Sequence, residues 1–417
     1  MVLIAGCSDG RDSTVLVREP QANRRELLQS LHTARDYFAL REILDEYIPD
    51  SSETLFFQAA VYQAFNKPNQ SNYAIDRALV GLDEFDPLLA RLLELRLANF
   101  VHLHDYPSVL EVAERLVELP AGTSASIDLK SVRDISLISK HLAGFAPQEA
   151  LVHDSSLIEL QQSHIPLQIE GHHRSYAFDT GANYSVLMRS EAEALGLSVI
   201  NVGLSVDTST DLTVTADLAI AGRLSIGSID YRNVAFLVFP DEALTFPGGF
   251  QIHGLIGFPV IEAMGEVRFH RSGLLEVPLE SATDARNTLA LVGLDPVILV
   301  GYKDSEFICR LDTGANSTTF YEPFFRRFQS MIVREGTPSV ARTGGVGGVR
   351  EFSAYRLSDV ELELGGRVAS LENVDVYPTS IVEREEENYL YCNVGRDILS
   401  QFDEYRINFR TMSFSLR

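Results

Sequence analysis

The sequence predicts a multidomain α and β protein, in which an all-α helical-repeat domain precedes an all-β region built from two lobes. Three observations predict it: helical periodicity up to about residue 144, short alternating strands after Pro147, and a duplication within the strand-rich part. A chain of 417 residues is long enough for two to four domains. We expect a linker at 1–20, a helical domain at 21–150, a first lobe at 151–285 and a second lobe at 286–417.

Composition restricts the class of partner. The formal net charge is −23, hydrophobic residues make up 45% of the chain and charged residues 22%. The fractions are those of an ordinary globular protein, and the negative charge repels phosphate backbones, so nucleic acid is not an expected partner. No apolar run is long enough to predict a transmembrane span. The cysteines show no zinc-ligand spacing, and we expect neither a metal nor another cofactor.

The extreme N-terminus carries a candidate lipidation site. The segment from Met1 to Cys7 ends in small residues before the cysteine, and it resembles the lipobox of bacterial lipoproteins. The resemblance implies a lipid anchor on Cys7 and a location in the bacterial cell envelope or periplasm. The alternative is a buried terminal strand in an otherwise soluble protein.

The helical domain contains a weak internal repeat. Segments 73–79 and 108–114 share a pattern of small and apolar residues at an offset of 35. This period resembles tetratricopeptide-like repeats, whose stacked helical hairpins leave a concave face that can bind a protein partner. A plain helical bundle is the alternative. A break follows Pro120, and one more helix is expected at about 132–142.

The strand-rich part contains an internal duplication. The pentapeptide 179–183, Asp-Thr-Gly-Ala-Asn, returns unchanged at 312–316, an offset of 133. Farther on, Gly257 and Gly395 each begin a shared pattern of two aliphatic residues, a glutamate, an arginine and an apolar residue, at an offset of 138. Because the two occurrences of the second pattern align without a gap, we interpret the two halves as copies of one unit.

The repeated aspartate predicts acid–base chemistry. Each Asp-Thr-Gly follows a strand-like segment and precedes a turn-forming Asn, which places a carboxylate where a strand ends. Two such loops would bring Asp179 and Asp312 face to face, sharing one proton because adjacent carboxylates do not both ionise easily. The ionised member can take a proton from water that attacks an amide, while the protonated member donates to the carbonyl oxygen. The residues alone assign neither role to either aspartate.

The motif Asp-Thr-Gly-Ala, followed 78 and 83 residues later by the glycine of each second pattern, resembles the aspartic peptidases, and its alanine resembles the retroviral branch. The resemblance covers about residues 155–417 and implies a bilobal pepsin-like or retropepsin-like fold that is active as a single chain. Asn393 departs from the family, which has an aliphatic residue there. The resemblance implies these roles: catalytic Asp179 and Asp312, loop-supporting Thr180, Gly181, Thr313 and Gly314, and buttress glycines Gly257 and Gly395.

The family also closes a hairpin flap over its substrate. The corresponding first-lobe stretch, about 205–217, has no glycine, so we expect an asymmetric cleft with one working flap. A flexible surface loop is the alternative for the second-lobe stretch. The flap candidates begin 32 residues after Asp312 and are Gly344, Gly345, Gly347 and Gly348.

A pair of cysteines and a pair of histidines also stand out in the sequence. Cys309 and Cys392 lie in segments that the family places side by side, so a disulfide and two buried thiols are both open. His172 and His173 are expected to be solvated turn residues, because they lack companions at metal-ligand spacing.

We therefore expect an aspartic endopeptidase acting on peptide or protein substrates, with a helical domain that recruits or restrains them. The alternative is a catalytically silent peptide-binding or scaffold protein that uses the cleft and the helical domain for interaction. Both aspartates are present, which favours the enzyme, since a binder has no need of a proton-sharing pair. A latent enzyme with a covered cleft is a third interpretation.

Overall fold

The computed structural model describes residues 21–46, 51–120, 122–123, 127–161, 164–208, 212–282, 287–380 and 389–417. The predicted linker 1–20 with Cys7 lies outside these residues, as does the predicted boundary between the lobes at 285–286. Within the described chain, helices come first and a β-rich part follows, which confirms the predicted order. The first strand begins at Glu149, just inside the range predicted as helical.

In the helical part, helices that follow one another in the chain pack together, and their N-termini are capped. Aspartate or serine side chains accept N–H groups at the starts of α2, α3, α5, α6 and α7, and proline opens α4, α5 and α6. Ala74 and Ala78 in α4 and Val109 and Ala113 in α6 are buried, so the repeated segments occupy core-facing positions. The tetratricopeptide-like assignment stays a prediction. The helices are Gln21–Thr33 (α1), Tyr37–Asp45 (α2), Ser52–Ala64 (α3), Pro68–Ala78 (α4), Pro87–His102 (α5), Tyr106–Glu118 (α6) and Leu129–Leu142 (α7).

The first half of the β-rich part contains thirteen described strands, and ten of them form one sheet. Its strands are Glu149–Val152 (β1), Ser156–Glu159 (β2), His164–Ile169 (β3), His172–Phe178 (β4), Ser185–Met188 (β5), Val199–Asp207 (β6), Thr213–Ala221 (β7), Leu224–Ile226 (β8), Ile229–Arg232 (β9), Val234–Phe239 (β10), Gly254–Ile256 (β11), Glu266–His270 (β12) and Leu274–Val277 (β13). Its helices are Arg189–Ala194 (α8), Phe258–Glu262 (α9) and the 3₁₀ helix Asp241–Leu244.

The second half contains ten described strands, and eight of them form another sheet. Its strands are Leu289–Val292 (β14), Asp295–Tyr302 (β15), Ser305–Leu311 (β16), Thr319–Phe320 (β17), Thr337–Gly345 (β18), Gly348–Leu364 (β19), Arg367–Val376 (β20), Cys392–Val394 (β21), Glu404–Asn408 (β22) and Ser413–Leu416 (β23). Its helices are Glu322–Glu335 (α10) and Arg396–Leu399 (α11).

A five-stranded sheet, in the order β2-β13-β12-β22-β23, joins the two halves. At its centre the duplicated strands β12 and β22 pair antiparallel, with Arg268 opposite Arg406. The register is symmetrical about this pair, because each strand places its glutamate opposite the last residue of the other. Such a register is what an approximate two-fold axis between the halves requires.

The helical part packs against the β-rich part at two places. At the end of α9, Asn66 donates from Nδ2 to Glu262 Oε1 at 2.9 Å and to the Phe409 carbonyl at 3.0 Å. Elsewhere α7 lies against β6, where Lys130 Nζ donates to Asp207 Oδ2 at 2.7 Å. None of the described helices combines the length and apolar character needed to cross a bilayer.

Candidate active site

The two repeated aspartates occupy equivalent places at the ends of strands. Asp179 follows the last residue of β4, and its backbone N–H donates to the Ile256 carbonyl at 3.0 Å. Asp312 follows the last residue of β16, and its N–H donates to the Val394 carbonyl at 3.0 Å. Because β11 and β21 run parallel to β4 and β16, each aspartate is held between two adjacent strand ends. We call residues 179–183 and 312–316 the first and second aspartate loops.

The threonine after each aspartate bonds to the opposite loop. The hydroxyl of Thr180 accepts the Thr313 N–H at 3.0 Å, and the Thr313 hydroxyl accepts the Thr180 N–H at 3.1 Å. Each hydroxyl then donates across the interface, from Thr180 to the Leu311 carbonyl at 2.6 Å and from Thr313 to the Phe178 carbonyl at 3.0 Å. Both side chains are buried, so these bonds join the loops as one unit.

The loop glycines lie against the opposing carboxyl groups. A Cβ on Gly181 would be 2.8 Å from Asp312 Cγ, and a Cβ on Gly314 would be 2.3 Å from Asp179 Cγ. Any side chain at either position would therefore displace a carboxyl group. The structure thus brings Asp179 and Asp312 together across the interface between the halves, as the duplication predicts.

The two glycines predicted as buttresses lie against the backbone of the aspartate loops and of the residues that follow them. A Cβ on Gly257 would lie 2.5 Å from the carbonyl carbon of Tyr184, so only glycine fits. The Gly257 N–H donates to Ser185 Oγ, and the Gly395 N–H donates to Thr318 Oγ1, both at 3.0 Å. We missed these two hydroxyl residues in the sequence, although they recur at the same offset of 133 as the aspartates.

The two carboxyl groups differ in their hydrogen bonds. The Oδ1 atom of Asp179 accepts one N–H, from Gly181, at 2.9 Å. The Oδ1 atom of Asp312 accepts two, from Gly314 and Ala315, both at 2.9 Å. Its Oδ2 atom accepts a third bond, from Nδ2 of Asn393 at 2.8 Å. Asp312 thus accepts three hydrogen bonds from described donors, whereas Asp179 accepts one N–H.

The pKa of the Asp179 carboxyl group is raised by its surroundings. Burial and, after it, the nearby charge of Asp312 raise the pKa of Asp179 well above its usual range, although the Gly181 N–H and the positive charge of Arg310 oppose the shift. The two carboxyl groups therefore have different surroundings, with one N–H donor on Asp179 and three donors on Asp312 among the described residues.

The structure places the candidate flap as the hairpin of β18 and β19. The Gly347 N–H donates to the carbonyl of Ala243 in the first half at 2.8 Å, and Val346 packs against a hydrophobic cluster there. Gly347 and Gly348 have φ of 94° and 120°, which L side chains rarely adopt. All four candidate glycines lie at this tip: Gly344, Gly345, Gly347 and Gly348.

The corresponding first-half hairpin, β6 and β7, is packed against the helical part. Tyr106 of α6 and Leu142 of α7 belong to one hydrophobic cluster with Leu204 of β6, and with Tyr184 and Leu255 beside the first aspartate loop. Burial, and then the neighbouring Tyr184, raise the pKa of Tyr106. The surroundings of the aspartate loops are therefore asymmetric, with a hairpin tip on one side and the helical part on the other.

The cysteine and histidine pairs have defined places. Cys309 and Cys392 are opposite each other in β16 and β21 and form a disulfide, with Cα atoms 4.7 Å apart, so of the two open interpretations the structure has the disulfide. His172 and His173 are exposed at the start of β4, directly after the turn rather than within it. Across the residues that the structure describes, no group of three or more His, Cys, Asp or Glu side chains could hold a metal ion.

Comparison with known proteins gives a match over part of the chain. Residues 165–260 match a family model described as Aspartyl protease, and this segment contains Asp179 and Gly257. No curated protein matches the chain. Among solved structures, a retropepsin-like aspartic protease from Rickettsia conorii is similar at 18% identity, covering 31% of this chain and 90% of that chain, with a TM-score of 0.21. The family match supports the predicted aspartic protease family for the first half of the β-rich part.

Proposed function

We propose that this protein is an aspartic endopeptidase that hydrolyses peptide bonds with a water molecule activated by Asp179 and Asp312. The observation that carries the proposal is the pair of carboxyl groups held face to face by the reciprocal bonds of Thr180 and Thr313. A turn aspartate in an ordinary loop has no need of an equivalent partner from a second copy of the same unit. The family match over residues 165–260 supports the same class of enzyme.

The hydrogen bonds favour a different proton-transfer role for each carboxyl group. Ionised Asp312 takes a proton from water, whose oxygen attacks the amide carbon, while Asp179 donates its proton to the carbonyl oxygen. The resulting neutral tetrahedral intermediate returns a proton through the pair to the amide nitrogen, and the carbon–nitrogen bond breaks. The carboxylic acid and amine products leave the pair with one shared proton, ready for another cycle.

Substrate access depends on the flap in this proposal. The tip contacts the first half through the bond from Gly347 to Ala243 and through Val346, so an extended peptide enters when these contacts open. The chain supplies both aspartates, and we propose that it works without a partner copy. The helical part, which reaches the first aspartate loop through Tyr106, would recruit or restrain protein substrates.

We also propose a place in the bacterial cell envelope. Disulfides form and persist in oxidising compartments, and the Cys309–Cys392 bond supports such a location. It agrees with the lipid anchor that the lipobox resemblance implies for Cys7. Labelled palmitate should incorporate into the wild-type chain in a bacterial host and not into Cys7→Ala; equal labelling of both would contradict the anchor.

The test of the peptidase proposal is cleavage of a diverse peptide library by the purified full chain, from acidic to neutral pH. We expect cuts that a statine-type inhibitor blocks, because its hydroxyl would occupy the position of the attacking water between the carboxyl groups. The rival function is a catalytically silent peptide-binding protein, and the packing of the helical part beside Tyr184 favours it. Bound but uncut peptides at every pH would establish the rival.

A further inference from the structure

The approximate two-fold symmetry of the site is broken at one buried position. In the first half, Leu255 of β11 lies opposite Ala177, one strand residue before the end of β4. In the second half, the equivalent residue of β21 is Asn393, opposite Arg310 of β16. Leucine and asparagine have similar reach but opposite polarity, so the same place is apolar beside one aspartate and polar beside the other.

Packing does not explain the asparagine. Asn393 is only 7% exposed, and its Oδ1 atom has no hydrogen-bond partner among the described residues. A buried acceptor without a partner destabilises the fold, whereas a leucine such as Leu255 would fill the same place without that penalty. The compensating contact is the bond from Asn393 Nδ2 to Asp312 Oδ2 at 2.8 Å.

That bond selects one form of Asp312. An amide N–H can only donate, and Oδ2 can accept it best when it carries negative charge and no proton. The Oδ1 atom already accepts the N–H groups of Gly314 and Ala315, so with Asn393 both oxygens are occupied by donors. A proton on Oδ2 would weaken the bond from Asn393, because a neutral carboxyl oxygen is a poorer acceptor than a charged one.

We propose that Asn393 is a positioning residue, which holds Asp312 as the ionised member of the pair and so leaves the shared proton on Asp179. The inference rests on the proposed endopeptidase function and adds a determinant of its pH range. The Asn393 amide and the additional N–H of Ala315 both favour Asp312 as the charged member of the pair, and the amide is the donor that a side-chain substitution can remove.

The other charged groups near the pair do not replace this contact. Arg310 on β16 faces the pair, but its Nη2 bonds to Asp295 Oδ2 at 3.0 Å. Its charge opposes the raised pKa of Asp179, which burial and Asp312 cause, and so works against a proton on Asp179. Asn393 is thus the side chain whose contact distinguishes the two carboxyl groups in the proposed direction.

The test is the pH profile of kcat/KM for Asn393→Leu, which installs the residue that the first half carries. Without the donor the charged form of the pair is stabilised less, so the acidic limb should move upward by about one pH unit, a tenfold loss of rate on that limb. The alkaline limb, where Asp179 loses its proton, should stay in place. Val394→Ala is the matched control, since it weakens packing in the same strand without touching the Asp312 carboxyl.

Asn393→Asp is the second variant, because it keeps the shape of the side chain and replaces the donor with a group that repels a charged Asp312. It should move the acidic limb upward at least as far as Asn393→Leu does. An acidic limb that stays at the wild-type pH in the folded variants, or that moves equally in Val394→Ala, would overturn the proposal. A wild-type protein that cuts no peptide would instead refute the proposed function itself.

Discussion

Thr180 and Thr313 each accept the other's backbone N–H, at 3.0 and 3.1 Å, in a buried interface between two halves of one chain. The contact joins residues that are 133 positions apart in sequence. Because each hydroxyl also donates to a carbonyl of the facing half, the aspartate loops hold one another in place. The relative position of the two carboxyl groups therefore depends on these two hydroxyl groups.

Thr180→Val keeps the shape of the side chain and removes the hydroxyl. The buried Thr313 N–H and Leu311 carbonyl would each lose a partner, at about 1–3 kcal/mol per group. We expect the free energy of unfolding in urea to fall by roughly 2–6 kcal/mol. Thr215→Val, an exposed position in β7, is the control and should change stability by less than about 0.5 kcal/mol. Equal stability of Thr180→Val and wild type would contradict the proposed dependence on the hydroxyl.

Asp179→Asn should make the protein more stable at neutral pH. Burial raises the pKa of Asp179 above its ordinary value of 3.8, so its contribution to stability is full below that pH and falls as the pH rises toward the raised pKa. Asparagine does not ionise and avoids this loss. The stability difference between variant and wild type should grow by up to about 1.4 kcal/mol per pH unit in this window. Urea unfolding at several pH values measures it, and a difference independent of pH would show that Asp179 ionises normally.

The flap tip requires glycine at Gly348, where φ is 120°. Gly348→Val would strain the turn between β18 and β19 and should lower kcat/KM by about tenfold or more, since the flap closes on the substrate. Gly366→Val is the matched control, because Gly366 has φ of 81° in the turn at the other end of β19 and has open space around it. Peptide cleavage assays should show loss in the first variant only. Equal losses in both would mean that strain in β19, not the flap, affects the reaction.

The Cys309–Cys392 disulfide should contribute to stability. It joins residues 83 positions apart, and closing a loop of that length in the unfolded chain is worth about 4 kcal/mol in the chain-entropy model. The double variant Cys309→Ala/Cys392→Ala should therefore unfold at a lower temperature than wild type, and reductant should not change it further. Cys7→Ala should keep the sensitivity of wild type to reductant. A wild-type protein whose unfolding ignores reductant would indicate that the bond is absent in solution.

The sequence predicts the aspartate loops well because their chemistry is local and duplicated. A strand, an aspartate, a threonine and a glycine recur in order, and the second pattern at Gly257 and Gly395 recurs as well. Such a repeat leaves few arrangements other than two facing copies. The helical part is predictable for a related reason, since its periodicity and N-caps are local signals.

The features that the sequence did not predict all depend on contacts between distant segments. In the sequence, Asn393 is a polar residue at an otherwise aliphatic position. Its contact with Asp312 exists because β21 lies beside β16. The choice between disulfide and thiols for Cys309 and Cys392 follows from the same parallel register. Tyr106 carries no sign in its own sequence that it packs near Tyr184, because that contact depends on how the helical part docks.

The need for both carboxyl groups is measured by kcat/KM on one peptide that the wild type cleaves, for Asp179→Asn and Asp312→Asn. Each variant lacks one of the two proposed proton-transfer groups, and we expect a loss of at least about a hundredfold in each, with both proteins folded. Wild-type turnover in either folded variant would refute the shared role of the two aspartates, because one carboxyl group would then suffice.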